Sequence, residues 1–291
     1  METSQRKARG RAIWVLFLAM CACFLCSPAR AQSVEECLDQ SYRNMYNLQF
    51  DQALKIADQA KAIDKNDPLP WMAEASALLF REFDRLHILN SEMFTSDERF
   101  AARSAQSWDA ASKKQFDDAL ATAEKLAQQR LSRDKNDVRA LFALTIISGL
   151  RADDAALIQK KNLTALAFTR TGNGYAERLL ARAPDYYDAY VATGMGKYLI
   201  GGKSAPVRWV LRLGGLKGDQ EEGLKELRLA AEHGHYLAPF ARILLAFDDL
   251  RHKNKVEARK KLVALSEQFP NNFHFVEEMT KLDHQSAGTG Q

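Results

Sequence analysis

The sequence is short of the residues that mark turn-rich and disulfide-bonded proteins. It has only 7 prolines and 15 glycines among 291 residues, which argues against an all-β chain with many turns. Of its 4 cysteines, three lie within the first 31 residues. If that segment is removed, Cys37 alone remains, so neither a disulfide framework nor a cysteine-based zinc site can form within the chain. We expect Cys37 to serve as a small apolar side chain on a helix face.

An excess of charge of one sign is also absent once the N-terminal segment is set aside. The whole chain has 41 basic and 37 acidic residues, a formal net charge of +4. Residues 1–31 contribute five of the basic residues and one of the acidic ones, which leaves 36 of each. A neutral body has no global attraction for nucleic acid or anionic lipid, so nucleic-acid binding is not expected. With 46% hydrophobic residues, the chain can instead build a buried core.

Residues 1–31 have the three-part pattern of a secretory signal peptide. Four basic residues precede an uncharged run at 12–26, and the segment ends with Ala-x-Ala. This pattern predicts cleavage after Ala31 and a periplasmic or cell-surface location in a bacterium. Two alternatives stay open. An uncleaved anchor would have to span a ~30 Å hydrocarbon core with a run of 15 residues, and a lipid anchor at Cys21 would follow Met20, where a small residue is expected.

Apolar residues recur at three- and four-residue steps through most of the chain, which predicts amphipathic helices and no convincing strand. Two short segments also repeat. Phe-Asp-Gln-Ala-Leu at 50–54 returns as Phe-Asp-Asp-Ala-Leu at 116–120, and Asp-Lys-Asn-Asp at 64–67 returns at 134–137. The spacings of 66 and 70 positions are close to twice the ~34-residue period of a helix–turn–helix repeat. The pattern therefore predicts an all-α repeat protein.

On these features the chain resembles the tetratricopeptide-repeat family. In that family the second helix of each unit carries a small residue, a large residue, an Ala and a Pro at fixed intervals. The residues with this spacing are Ala258, Leu262, Leu265 and Pro270 in one unit and Gly172, Ala176, Leu179 and Pro184 in another, with Gly194 and Gly223 as further small positions. Small residues let helices approach closely, and each unit must stack on its neighbours to bury its apolar face.

The resemblance implies a right-handed tetratricopeptide-like helical-repeat solenoid at 32–282, with about six helix pairs and an insertion at 200–218. The tail at 283–291 lacks large apolar residues and is expected to be disordered. Within the solenoid the periodicity predicts separate helices at 155–169 and 173–183. The function that the resemblance implies is non-catalytic: the concave groove would hold a protein or peptide partner, or scaffold an assembly.

In the family, the concave groove is lined by fixed positions of the first helix of each unit. Carried over onto two first helices of this chain, these positions are Leu69, Met72, Ser76, Leu79, Asp188, Val191, Met195 and Tyr198. A groove with Met and Tyr side chains suits a peptide or an amphipathic helix. The equally weighted alternative is that half of these residues pack against the adjacent helix.

The insertion carries an amphipathic segment at 203–217. The residues that could contact a membrane or a partner are Arg208, Trp209, Arg212 and Leu213. The favoured interpretation is a short helix that packs back on the solenoid, because exposed Trp and Leu side chains would form a costly apolar patch. The alternative is a peripheral membrane protein, with the apolar side chains inserted and the basic ones facing lipid head groups.

No catalytic or metal-binding motif is complete in this sequence. Acid pairs such as Asp153-Asp154 are interpreted as solvated helix faces or as favourable charges in a first helical turn. His233 and His235 are interpreted as part of a helix C-terminus rather than a metal site, because residues two apart on a helix diverge. The sequence thus predicts no catalytic residue, no cofactor and no metal. An enzyme whose residues converge only in the fold remains the second alternative.

Overall fold

The structure is a computed structural model that describes residues 32–89, 98, 102–202 and 218–287, with side chains described as far as residue 284. The chain divides into two compact units, Met1–Ser33 and Val34–Gln291, and all helices of the described residues belong to the second. This described part is all-α, as predicted: it contains eleven α-helices and no strand. The helices are α1 Val34–Tyr46, α2 Phe50–Ile63, α3 Pro68–Arg85, α4 Ala110–Arg133, α5 Val138–Asp153, α6 Asn162–Arg182, α7 Tyr190–Gly201, α8 Gln220–His233, α9 Ala238–Arg251, α10 Lys255–Gln268 and α11 Phe273–Ala287.

Helices α3 and α5 begin in the same way, after the two copies of the Asp-Lys-Asn-Asp turn. In each copy, at 64–67 and 134–137, the backbone amide of the Asn donates to the carboxylate of the first Asp at 2.9 Å. The second Asp is the N-cap, and its carboxylate accepts from the amide of Leu69 at 3.0 Å or of Ala140 at 2.8 Å. An acidic N-cap satisfies amides that the first turn leaves unpaired and complements the helix dipole. The internal repeat in the sequence therefore corresponds to a repeated helix start.

Each helix packs against the next one in the chain, and α1, α3, α5 and α7 also contact one another in that order. Small residues allow the closest of these approaches. A Cβ on Gly194 of α7 would lie 2.9 Å from the carbonyl oxygen of Gly223 in α8, and a Cβ on Gly223 would lie 2.6 Å from that of Gly194. A Cβ on Gly172 of α6 would lie 3.1 Å from the Cβ of Ser148 in α5. These three glycines, which the sequence suggested as sites of close approach, do lie at helix contacts.

The last helices of the unit pack against the first ones. The Tyr46 hydroxyl donates to the carbonyl oxygen of Tyr236 at 3.0 Å, and the Asn272 side-chain amide donates to the carbonyl oxygen of Tyr46 at 2.9 Å. The rings of Phe80 in α3 and Phe240 in α9 meet edge to face, with centroids 5.8 Å apart. An open stack of helix pairs would keep such distant parts of the chain apart. Helix α9 therefore covers part of the face that the early helices would present as a groove.

A predicted break between two helices is wrong. The two helices expected at 155–169 and 173–183 form one continuous helix, Asn162–Arg182, which follows a π-helical turn at Asp154–Ile158. Gly172 lies at the expected break, yet it serves as a contact with α5 that a larger residue would obstruct. Tertiary packing thus outweighs the low intrinsic helix propensity of glycine at this position.

The chain leaves α7 and returns to α8 at nearly the same point. A Cβ on Gly218 would lie 2.5 Å from the backbone nitrogen of Gly201, and the Asp219 amide donates to the carbonyl oxygen of Lys197 at 3.2 Å. Gly201 and Gly218 therefore lie side by side, as an insertion between two packed helices requires.

Some predictions fall on residues outside those described, namely the signal peptide at 1–31 and the amphipathic segment at 203–217. Helix α11 continues to Ala287, past the predicted end of the solenoid, and 288–291 are not described. Across the described residues, no helix combines the length and the hydropathy that a transmembrane span requires. Cys37 is fully buried in α1, which agrees with its expected role as a small apolar side chain.

Candidate ligand cavity

A cavity of about 170 Å³ lies between six helices, α1, α3, α5, α6, α7 and α9. Its wall is mostly apolar, and its largest side chains are Tyr42, Met45, Tyr46, Phe80, Met195 and Phe240. For comparison, an apolar cavity of about 150 Å³ engineered into another protein binds benzene. The space therefore suits a small molecule. It is too small for a peptide helix, which is at least ~10 Å across with its side chains.

Regular helix spacing brings the α5 residues to this cavity. The lining positions Ile146, Gly149, Leu150 and Asp153 follow steps of three, one and three, which places them on one face of the helix. Gly149 keeps space open on that face, because a Cβ there would meet no atom within 4 Å. Asp153 thus continues an apolar stripe of α5 and does not lie on its solvated face.

Among the described residues that line the cavity, Asp153 is the only charged one. It is half-buried, and its carboxylate has no hydrogen-bond or ion-pair partner among the described residues. Burial raises the pKa of Asp153 to about 7, because apolar surroundings disfavour the ionised form. A carboxyl group perturbed in this way inside a cavity is a mark of a functional site.

The other polar side chains of the wall have partners, with one exception. The hydroxyls of Ser76, Thr145 and Thr169 donate to carbonyl oxygens one helical turn earlier, at 2.8–2.9 Å, and both tyrosine hydroxyls are engaged as well. The exception is Asn173 of α6, whose side-chain amide has no hydrogen-bond partner in the described part of the chain. This amide packs on bare backbone, since a Cβ on Gly196 would lie 2.2 Å from its Nδ2. One carboxylate and one amide of the wall therefore lack protein partners.

The next residue along the chain, Asp154, has the opposite surroundings. It is buried, and its carboxylate accepts hydrogen bonds from Nε1 of Trp108 and from the side-chain amide of Gln159, each at 2.7 Å. The Nζ of Lys113 lies 3.8 Å from the same carboxylate. The interpretation of Asp153 and Asp154 as a solvated pair is therefore wrong, although Asp154 does lie in the first turn of the π-helix. They lie at the end of α5, where one faces the cavity and the other is satisfied by protein groups.

Six of the eight groove candidates belong either to the cavity wall or to the core. Those that line the cavity are Ser76, Val191 and Met195. Those that are fully buried in α3 are Leu69, Met72 and Leu79. The buried three have no surface left for a partner, because α3 packs against α1, α2, α4 and α5. The repeat positions predicted correctly that these residues face the inside of the helix array. How much of that inner face stays accessible depends on the C-terminal helices, which pack back against it.

The other two groove candidates hold α9 in place. Asp188, in the turn before α7, accepts from the three consecutive backbone amides at 235–237, at 2.8, 3.0 and 3.0 Å. Burial nevertheless keeps the pKa of Asp188 above its ordinary value. The Tyr198 hydroxyl donates to the Asp248 carboxylate of α9 at 2.7 Å. The four candidates in the insertion, Arg208, Trp209, Arg212 and Leu213, lie outside the described residues.

No protein-family model, no curated protein and no solved structure matches this chain. Within the described residues, no group of three or more His, Cys, Asp or Glu side chains is arranged to hold a metal ion. A functional interpretation therefore rests on the cavity and on the two unpartnered side chains of its wall.

Proposed function

We propose that this is a non-catalytic binding protein that holds a small, mostly apolar molecule in the cavity between its helices. The observation that carries the proposal is the pair of polar side chains, Asp153 and Asn173, that lack partners among the described residues on a mostly apolar wall. Both side chains are half-buried, so their polar atoms can hydrogen-bond a molecule that enters the cavity. A ligand with polar atoms at one end and an apolar body would satisfy both groups and fill the remaining space.

A small ligand here replaces the peptide or protein partner that the sequence suggested. A concave groove could take a peptide helix only if it were open, and α9 contacts the early helices across it. The remaining space of about 170 Å³ is comparable to a single aromatic molecule. The inner face of the helix array is the proposed binding surface for a peptide and for a small molecule alike. Because α9 covers part of this face, only a small molecule fits.

The binding unit is proposed to be a tetratricopeptide-like solenoid that is exported after cleavage near Ala31. Helix packing in chain order, contacts among α1, α3, α5 and α7, and the recurring turn at 64–67 and 134–137 support the repeat architecture. The proposal of export rests on the pattern of residues 1–31 alone. Such a protein would meet its ligand in the periplasm or at the cell surface.

An enzymatic use of the cavity has less support than binding. A carboxyl group with a pKa near neutrality suits general acid–base catalysis, and Asp153 meets that requirement. Catalysis also needs a nucleophile or a second acid or base within reach of the reacting atoms. The hydroxyls of the wall donate to carbonyl oxygens of their own helices, so the described residues supply no activated nucleophile.

Filling the cavity tests the proposal. We expect Gly149→Leu to occupy the open space next to Gly149 and to abolish binding of small aromatic and alicyclic fragments, measured by ligand-observed NMR. The matched control is Gly174→Leu on the exposed side of α6, where a Cβ also meets no atom within 4 Å and the residue does not line the cavity. Fragments that bind the wild type and both variants alike would show that binding does not occur in this cavity.

A further inference from the structure

We propose that the ligand of this cavity is a small organic cation, a primary or secondary amine with an apolar body about the size of one ring. Its ammonium group would lie against the Asp153 carboxylate, and its body would contact the aromatic side chains of Tyr42, Phe80 and Phe240. This inference rests on the proposed function, and it adds the charge and the chemical class of the ligand.

The charge of the wall favours a cation over other ligands. In the described part of the wall Asp153 is the one charged side chain, and no basic group of the described residues pairs with it. A carboxylate in apolar surroundings is stabilised by an opposite charge that donates hydrogen bonds to it. A hydrocarbon would leave the carboxylate unpaired, and an anionic ligand would meet a group of its own sign. An ammonium group supplies both the charge and the donors that the site lacks.

The shape and composition of the wall fit the rest of such a molecule. The rings of Tyr42, Phe80 and Phe240 and the thioether of Met45 offer apolar and aromatic contact, and aromatic faces also attract cations. The Asn173 amide, held against the backbone of Gly196, offers a carbonyl oxygen that can accept a second N–H from the ligand. A compact ammonium with one ring fills a cavity of about 170 Å³.

Binding of a cation has a proton balance that can be measured. Among the described residues, the titratable groups facing the cavity are Asp153 from α5 and two tyrosines from α1, Tyr42 and Tyr46, while α3, α6, α7 and α9 contribute none. Burial raises the pKa of both tyrosines, so they stay neutral near pH 7. Burial also raises the pKa of Asp153 to about 7, so below that pH an ammonium ligand must displace the carboxyl proton. Affinity for the amine therefore rises with pH up to about 7 and then levels off, since an alkyl ammonium keeps its charge to about pH 10.

The test is isothermal titration calorimetry of the protein with 2-phenylethylamine and cyclohexylamine, each compared with its neutral counterpart, 2-phenylethanol or cyclohexanol. At pH 8 we expect the wild type to bind at least one amine about tenfold or more tightly than its alcohol. At pH 6, titrations in two buffers of different ionisation enthalpy should show proton release on binding of the amine and none on binding of the alcohol.

Three variants make the outcome decisive. Asp153→Asn should remove the preference for the amine and the proton release while leaving alcohol binding in place, whereas Asp185→Asn, which removes an exposed charge, should change neither. Gly149→Leu should abolish binding of both probes. If amine and alcohol bind equally and Asp153→Asn has no effect, the proposal of a cationic ligand is wrong, although the cavity still binds ligands. If no probe binds, or if Gly149→Leu changes nothing, the proposed function fails together with this inference.

Discussion

Asp153 and Asp154 are neighbours in the sequence, but their carboxylates lie in two regions with different hydrogen-bonding surroundings. Asp153 faces an apolar cavity without a partner, and burial raises its pKa to about 7. Asp154 accepts hydrogen bonds from Trp108 and Gln159 and has Lys113 nearby. Successive side chains on a helix point about 100° apart, so adjacent residues can lie in different environments. Apolar surroundings raise the pKa of Asp153, whereas hydrogen-bond donors and a nearby ammonium group surround the Asp154 carboxylate.

The largest effect that this comparison predicts is on the pH dependence of stability. The pKa of Asp153 is raised in the folded state, so between about pH 4 and about pH 7 the folded chain keeps a proton that the unfolded chain has lost. Stability therefore falls as pH rises through this window, and the loss is complete above pH 7. Asp153→Asn should remove the loss and raise the free energy of unfolding at pH 8 by up to about 4 kcal/mol, with little effect at pH 4. Urea denaturation at both pH values measures the difference, with Asp185→Asn as the control for a lost surface charge.

The second prediction is a loss of stability on removal of the Asp154 carboxylate. Asp154→Ala should lower the free energy of unfolding by about 2–3 kcal/mol at any pH near neutrality, because the indole N–H of Trp108 and the amide of Gln159 lose their acceptor. Asp154→Asn keeps an oxygen acceptor in the same place and should cost less. Thermal and urea unfolding followed by circular dichroism would check both. A gain in stability from Asp154→Ala would show that its environment resembles that of Asp153 after all.

A third prediction isolates one hydrogen bond of the Asp154 region. Trp108→Phe removes the indole N–H but keeps an aromatic ring for stacking on Phe116, whose centroid is 4.9 Å away. The expected loss is about 1 kcal/mol. Trp71→Phe is the matched control, since the indole nitrogen of Trp71 is buried without a hydrogen-bond partner in the described structure. Equal losses in the two variants would mean that ring size and not the hydrogen bond carries the effect.

The smallest effect concerns the open space beside Asp153. Gly149→Ala should stabilise the protein by about 0.5–1 kcal/mol, because alanine favours the helix and its methyl group meets no atom within 4 Å. Gly172→Ala should do the reverse, since its Cβ would lie 3.1 Å from the Cβ of Ser148. Denaturant unfolding of the two variants compares a glycine that borders a cavity with one that permits a helix contact. Destabilisation by Gly149→Ala would indicate that the cavity is narrower than described.

Local features of the fold could be predicted because they depend on residues close in the chain. The turn at 64–67 carries its own N-cap and its own Asx hydrogen bond, so its copy at 134–137 folds in the same way. Gly194 and Gly223 marked a close helix contact because they match a spacing that recurs in repeat proteins. The break expected near Gly172 did not occur, since contact with α5 favours a continuous helix there.

The candidate site was harder to predict because it is assembled from six helices. One feature of the sequence points to the site: Asp153 has the helical spacing that continues the stripe of Ile146, Gly149 and Leu150. That spacing identifies the inner face of α5 and says nothing about what lies opposite. Asn173 carried no signal at all, since an amide on a helix is usually solvated.

The sequence by itself determined most of the helices and many of their boundaries, because periodic apolar stripes and capping residues act over short distances along the chain. Only the tertiary structure decided that α9 returns to α1 and α3, held by Asp188 and by the hydroxyl of Tyr46. That return closes one side of the cavity, on whose wall one carboxylate lacks a partner among the described residues. Contacts between residues about 190 positions apart depend on the sum of every helix packing angle between them, and no local pattern encodes that sum.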